Sequence, residues 1–278
     1  MSVVRWVEVH RLAVAGWEVG IAREVGARVG WGWLATSRFV DVVALAELTL
    51  TLGPDGLALY QLGWAQQVTG LPAPALASYE RALGMFRAAG ERGREAATLS
   101  NIGGVYDGLG ERAWALQFYE QALPILREVG DRAGEAATLN NIGLVHNALG
   151  DQAQALQYYE QALPIRREVG DRAGEATTLT NIGLVYNALG ERARALQFYE
   201  QALPIRREVG DRAGEAVTRY NIAMIHRSNG DLDQAVTELE HVVDLDHQVG
   251  HPDLQTDTAM LEQARQELQQ RATGQDAP

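Results

Sequence analysis

The chain has no cysteine and no lysine. Without cysteine there are no disulfides, thiolate metal sites or redox thiols, which fits a reducing compartment. Without lysine there is no Walker lysine, Schiff-base lysine or lysine general base. All 24 basic residues are arginine, as a GC-rich genome encodes. Long apolar runs are also missing, so no segment reads as a membrane-spanning helix. The first thirty residues are apolar but carry Arg5, Glu8, Arg11, Glu18, Arg23 and Glu24, which breaks the continuous core a signal peptide needs. Positive charge is scarce, and the net charge of −12 argues against a general binder of nucleic acid or anionic membrane. P-loop, HExxH, GxSxG and paired catalytic carboxylate patterns are absent, so catalysis, a cofactor and a metal are not expected. The expectation is a soluble cytoplasmic protein that is not an enzyme.

What the chain does have is a repeat. Residues 134–173 and 174–213 differ at seven of forty positions. The same frame extends backward through 94–133 and forward through 214–251. A fixed period of this length means a stacked array, not one closed core. Within one unit, Leu179, Ile182 and Tyr186 at three- and four-residue steps mark the apolar face of a first helix near 171–188. Gly190 supplies a left-handed helix end, and Glu191 suits the following helix start. A second helix, about 192–209, carries Ala195, Leu196, Tyr199, Ala202, Leu203 and Ile205. Gly210 ends it, and Asp211 caps the next.

These residues resemble the tetratricopeptide repeat (TPR) family, whose pattern is matched by Leu179, Ile182, Gly183, Tyr186, Ala195, Tyr199 and Ala202. The forty-residue unit is similar to that of kinesin light chains. The resemblance implies an all-α fold, a right-handed superhelical α-solenoid of TPR helix-turn-helix hairpins. Pro124, Pro164 and Pro204 depart from the family pattern, falling inside the second helices, where each should cause a kink. The frame divides the chain into an N-terminal helix (1–15), a degenerate repeat (16–55) and repeats at 56–95, 96–135, 136–175, 176–215 and 216–251. A capping helix (252–272) with Met260, Leu261 and Leu268 on its apolar side follows, then a disordered tail (273–278). In the degenerate repeat, Gly30 aligns with the turn glycine Gly70.

Asparagine recurs every forty residues at Asn101, Asn141, Asn181 and Asn221. Each costs about 0.5–0.7 kcal/mol against alanine in a helix interior. The resemblance places this position on the concave wall, where kinesin-light-chain-like arrays use asparagine to hold peptide backbone. It implies a groove of Asn101, Asn140, Asn141, Leu144, Asn147, Asn181, Leu184, Asn187, Tyr220, Asn221, Met224 and Arg227, with Ser100 and Thr180 on the same wall. Two other readings stand beside it: asparagines that bond a neighbouring helix, and asparagines copied neutrally by recent duplication. With few bases on the wall, a clamp for C-terminal carboxylates is not expected.

Three further features carry chemistry. His241, His247 and His251 lie near Asp244, Asp246 and Asp253, without a recognised metal-ligand spacing. Arginines between 191 and 227 outnumber acids there, as a solvated face or an anion site. Trp6, Trp17, Trp31 and Trp33 crowd the start, either filling an irregular repeat or offering a docking surface for another domain or a second copy. The function expected is a scaffold that binds an extended peptide or partner helix. The "REVGDRAGEA" joins resemble arms of bacterial signal-transduction ATPases, which implies a sensor or regulatory arm of a larger signalling protein. The alternative is a self-assembling structural TPR module. Expected partners are a protein or peptide and a second copy through the Trp-rich helices; membrane and nucleic acid are not expected.

Overall fold

The computed structural model describes residues 3–273; the expected disordered tail lies, apart from Thr273, outside them. Among the described residues there are fourteen helices and no strand. In order they are α1 (Val3–Ala15), α2 (Val19–Leu34), α3 (Phe39–Leu50), α4 (Gly56–Val68), α5 (Pro72–Ala89), α6 (Arg92–Gly108), α7 (Arg112–Val129) and α8 (Arg132–Ala148), followed by α9 (Gln152–Glu168), α10 (Arg172–Ala188), α11 (Arg192–Glu208), α12 (Arg212–Asn229), α13 (Leu232–Val249) and α14 (Leu254–Ala272). The chain divides between Asn141 and Ile142, within α8, into two compact units. Each unit is a run of helical hairpins in which consecutive helices pack on one another.

Glycine sets the rhythm. Every twentieth residue from Gly70 to Gly250 is a glycine with φ between +65° and +84°. A side chain there would cost about 1–2 kcal/mol. At Gly190 the glycine amide donates to Asn187 O at 3.0 Å and the next amide donates to Tyr186 O at 2.8 Å, which satisfies the orphan carbonyls of α10. Asp171 and Asp211 then cap α10 and α12, each accepting at 2.8 Å from the amide of Gly174 or Gly214. The internal prolines do not end their helices. α7, α9 and α11 each continue past Pro124, Pro164 or Pro204, because each ring lies on an exposed face and removes one backbone donor.

Within each hairpin a tyrosine ring of the second helix lies against a glycine of the first. Tyr79 meets Gly63, Tyr119 meets Gly103, Tyr159 meets Gly143 and Tyr199 meets Gly183; a Cβ on any of these glycines would approach the ring to 2.5–2.8 Å. The four rings are almost wholly buried. In the last repeat the pair becomes Ala223 and Leu239, both fully buried in one cluster with Leu261 and Ala264 of α14. The added methyl is accommodated where the ring has been replaced by a smaller side chain.

The N-terminal frame needs one correction. Gly30 does not end a helix; α2 runs through it to Leu34. The left-handed residues here are Trp17 (φ +58°) and Ser37 (φ +56°), again twenty apart. Gly30 instead lets Gln61 of α4 approach, its Oε1 lying 2.3 Å from where a Cβ would stand. That close approach positions Gln61 Nε2 to donate to Ala27 O at 2.9 Å.

Gly183→Ala should lower stability by about 1–3 kcal/mol. Tyr199→Leu in the same chain should recover part of that loss, as Ala223 and Leu239 do naturally. Urea unfolding of both single variants and the double checks it, and additive losses would show that ring and glycine do not compete for the same space.

Candidate functional site

The joins between repeats carry the strongest electrostatics. In the first unit Glu95 is 6% exposed and accepts from Arg87 Nε at 2.9 Å and Arg92 Nη1 at 2.6 Å, while Arg92 also reaches Glu128 at 2.9 Å. Glu135 is held the same way by Arg127 at 2.7 Å and by Arg132. In the second unit Glu175 is held by Arg167 at 2.8 Å and by Arg172, which also pairs with Glu208 at 2.8 Å. Glu215 is held by Arg207 at 2.8 Å and Arg219 at 3.0 Å. Burial pushes the Glu95 and Glu215 carboxyls up, but their arginines pull harder and leave both below the ordinary glutamate value. A buried carboxylate is tolerable when charge-assisted bonds of this kind replace its water.

Similar contacts engage four arginines of 191–227. Arg194 pairs with Glu191, Arg206 with Asp211, Arg207 with Glu215, and Arg219 with Glu215 and Glu238. The charge of these four is spent locally.

In the first unit, Asn101 Nδ2 donates to Tyr60 OH at 2.9 Å, a bond from α6 to α4. Burial and the Asp107 carboxylate push the Tyr119 hydroxyl far above its ordinary value, and a hydrogen bond from Asn141 acts in the opposite direction. These asparagines therefore serve buried tyrosines of the preceding hairpin. Asn140 is 6% exposed. Ser100, the residue before Asn101, touches the next first helix: its Oγ lies 3.1 Å from Thr138 Oγ1.

In the second unit the expected wall splits. Asn181 is 8% exposed and Thr180 is 6% exposed, with Thr180 Oγ1 donating to Ala176 O and lying 3.4 Å from Thr218 Oγ1. Asn181 and Thr180 are thus nearly inaccessible and do not stand open on a groove, with α10 meeting α12 at Thr180; Asn140 of the first unit is as little exposed. Arg227 is also corrected: its guanidinium is taken by Glu267 of α14, with Nε donating to Oε2 at 2.9 Å. Outward-facing are Leu144 and Leu184, 37% and 36% exposed, and Asn187, with Asn147, Tyr220, Asn221 and Met224 half-buried. This row combines aliphatic surface with amides.

The three histidines do not converge. His241 and His247 are exposed, whereas His251 Nδ1 lies 3.9 Å from Asp246 Oδ1 and 3.8 Å from Asp253 Oδ2. Among the described residues no group of three or more such side chains is arranged to hold a metal. The tryptophans also divide. Trp33 is buried beneath Arg38, whose guanidinium carbon lies 4.6 Å from the ring centre. Trp17 is 71% exposed. Trp31, half in solvent, makes a tilted contact with Tyr60 and an edge contact with Trp64 at centroid distances of 5.8 and 5.6 Å, beside a cavity of about 290 Å³ lined also by Phe86 and Arg94. Sequence reasoning missed this cavity, because its residues come from different helices. It also missed the buried glutamates, although the recurring arginine eight residues before each one was visible.

Glycine-punctuated hairpins with interlocked tyrosines, stacked in sequence, define an α-solenoid-type repeat protein. A model of the tetratricopeptide repeat family matches residues 57–128, 94–168, 134–208 and 174–248, more than half of the chain. The chain belongs to the tetratricopeptide repeat family. Comparison with curated proteins finds no match. Among solved structures, a Rap protein complexed with competence and sporulation factor is similar, with a TM-score of 0.64, 15% identity and coverage of 90% of this chain and 76% of that one. BtubC from P. vanneervenii has a TM-score of 0.63, 23% identity and coverage of 90% and 93%. A Podospora anserina protein described as a kinesin light chain with nearly identical TPR-like repeats has a TM-score of 0.56, 17% identity and coverage of 69% and 95%. These likenesses establish the fold. No helix among the described residues is long and apolar enough to cross a membrane.

The depressed Glu95 and Glu215 carboxyls fix a pH dependence. Their contribution is fully present above the unfolded glutamate pKa of about 4.3 and is lost as pH falls through the lower folded values. Denaturant midpoints should therefore drop as pH falls from about 5 toward 3, and Glu95→Gln with Glu215→Gln should flatten that drop.

Proposed function

We propose that the chain is a non-enzymatic protein-interaction scaffold that binds an extended peptide or partner helix on the outward side of its first helices. The observation that carries this reading is the row in the second unit: Leu144 and Leu184 hold the same position in successive repeats, are more than one-third exposed, and stand beside Asn147 and Asn187. Large aliphatic side chains repeated in solvent beside unsatisfied amides offer anchoring pockets and backbone hydrogen bonds together. Asn101 and Asn141 take a double role here: they bond tyrosine hydroxyls and, being only half-buried, keep amide capacity for a ligand. The family to which the chain belongs supports a binding role rather than catalysis, and the joins between repeats support an arm of a larger cytoplasmic signalling protein.

Peptides selected from a displayed library on the wild-type chain should lose about tenfold or more in affinity with Leu144→Glu plus Leu184→Glu, a loss of about 1.4 kcal/mol. Thermal stability should stay near wild type, since both side chains are already in solvent. Equal binding by wild type and variant sinks the reading. Asn181→Ala is the contrasting probe: it should cost stability, because that side chain is packed between helices.

A second reading, self-association, is favoured by Trp17 at 71% exposure in the turn between α1 and α2, with Val4 of α1 and Val40 of α3 each at 78%. Sedimentation across concentration should show a dimer that Trp17→Ser removes; a strict monomer at every concentration ends this reading.

A further inference from the structure

We propose that the second unit carries, where α12, α13 and α14 meet, a pocket for an organic cation: a guanidinium or ammonium head on an aliphatic stem. The site lies apart from the Leu144 and Leu184 row and does not rest on the peptide reading.

The cavity measures about 340 Å³ and is walled by Val242 and Tyr220 with the acids Asp246, Asp253 and Asp257 and by His251. Asp246 is 1% exposed, and its Oδ2 has no hydrogen-bond partner. A buried carboxylate oxygen left without a donor is costly, and native proteins rarely leave one so. No arginine lines the cavity, and the chain has no lysine. His251 stands at the edge of the cavity, its Nδ1 3.9 Å from Asp246 Oδ1 and 3.8 Å from Asp253 Oδ2, beyond hydrogen-bond distance of either carboxylate.

The repeat frame shows what is missing. Forty and eighty residues earlier, the position of Asp246 is held by Arg206 and Arg166, which pair with Asp211 and Asp171. In the last repeat the order of charge is inverted, with Asp246 in the arginine's place and His251 in the aspartate's. The two preceding repeats each contribute a guanidinium at this corner, whereas here three acids and one histidine line it. Burial, together with the hydrogen bond and charge of Asp246 and the charge of Asp253, pushes the Asp257 carboxyl up to about 6. An entering cation relieves that repulsion. A guanidinium fits better than a divalent metal, since it offers paired N–H donors to Asp246 and Asp257 and a flat face to Tyr220, whereas the acids are not arranged as a metal cage.

The sign of the pH effect follows. A protonated Asp257 cannot pair with a cation, so affinity rises with pH through about 6. Isothermal titration of the full chain with n-butylguanidinium chloride should show binding near pH 7.5 that weakens about tenfold near pH 5. Asp246→Asn should abolish it, and Asp257→Asn should weaken it and flatten its pH dependence. The Leu144→Glu plus Leu184→Glu variant should bind butylguanidinium as wild type does, which separates this site from the peptide face. Absence of binding to the wild-type chain overturns the proposal, as does unchanged affinity in Asp257→Asn, the more exposed of the two positions and the deciding variant if Asp246→Asn fails to fold. Calcium binding that displaces butylguanidinium would overturn it in favour of a metal site.

Discussion

The tyrosine ring lying on a helical glycine is the constraint on which the regular repeats depend. Ring and backbone touch at a distance that leaves no space for a methyl group, so the two helices of a hairpin approach as closely as helices can. That approach buries an aromatic side chain completely and fixes the rotation of each helix about its axis. Once rotation is fixed, the residues around it acquire definite roles. Ile182 and Val185 turn inward, Leu184 turns out, and Asn181 falls between one hairpin and the next. The substitution of both partners in the last repeat shows that volume is conserved across the contact while identity is not. An array built on such contacts gains nothing from a single large core; each hairpin adds its own buried pair and a face for its neighbour.

Closing the turns leaves a second problem, which charge solves. The chain reverses every twenty residues, and each reversal brings helix ends and their side chains together. Arginine near the end of one helix meets glutamate in the first turn of the next, so the macrodipoles and side-chain charges agree. Because the glutamates are almost wholly buried and doubly held, these pairs discriminate register as well as adding stability. They also engage much of the locally arginine-rich stretch within a chain whose net charge is −12.

Much of the fold was legible because its signals are local and periodic. A glycine every twenty residues, an Ala-x3-Tyr-x2-Ala pattern, and aspartate just before a helix each have a short-range cause. The degenerate first repeat was misread at Gly30 for the converse reason: that glycine answers to Gln61, thirty-one residues away, and nothing local distinguishes a glycine needed for a turn from one needed for a crossing. The ladder shows the same limit. Helical geometry places Asn181 about 100° from Ile182, but whether that direction meets water or the next hairpin depends on how repeats stack. The structure leaves Asn140, Asn181 and Thr180 nearly inaccessible and Leu144, Leu184 and Asn187 outward. Likewise Arg227 belongs to the inner row by register, yet Glu267 from a helix forty residues on occupies its guanidinium.

The buried carboxylates provide an internal comparison that bears on function. Glu95, Glu135, Glu175 and Glu215 are each nearly inaccessible, and each has two arginines of its own. Asp246 is more deeply buried than any of them and has none; its titratable neighbours are two more acids and a histidine whose Nδ1 stays 3.9 Å away. Structural demand alone does not account for the difference, because the repeat already contains a solution at this corner in Arg166 and Arg206. Replacing arginine by aspartate there, while keeping the cavity beside it, exchanges an internal cation for room to receive one from outside. A position that the two preceding repeats use for an internal ion pair is, in the last repeat, released for binding.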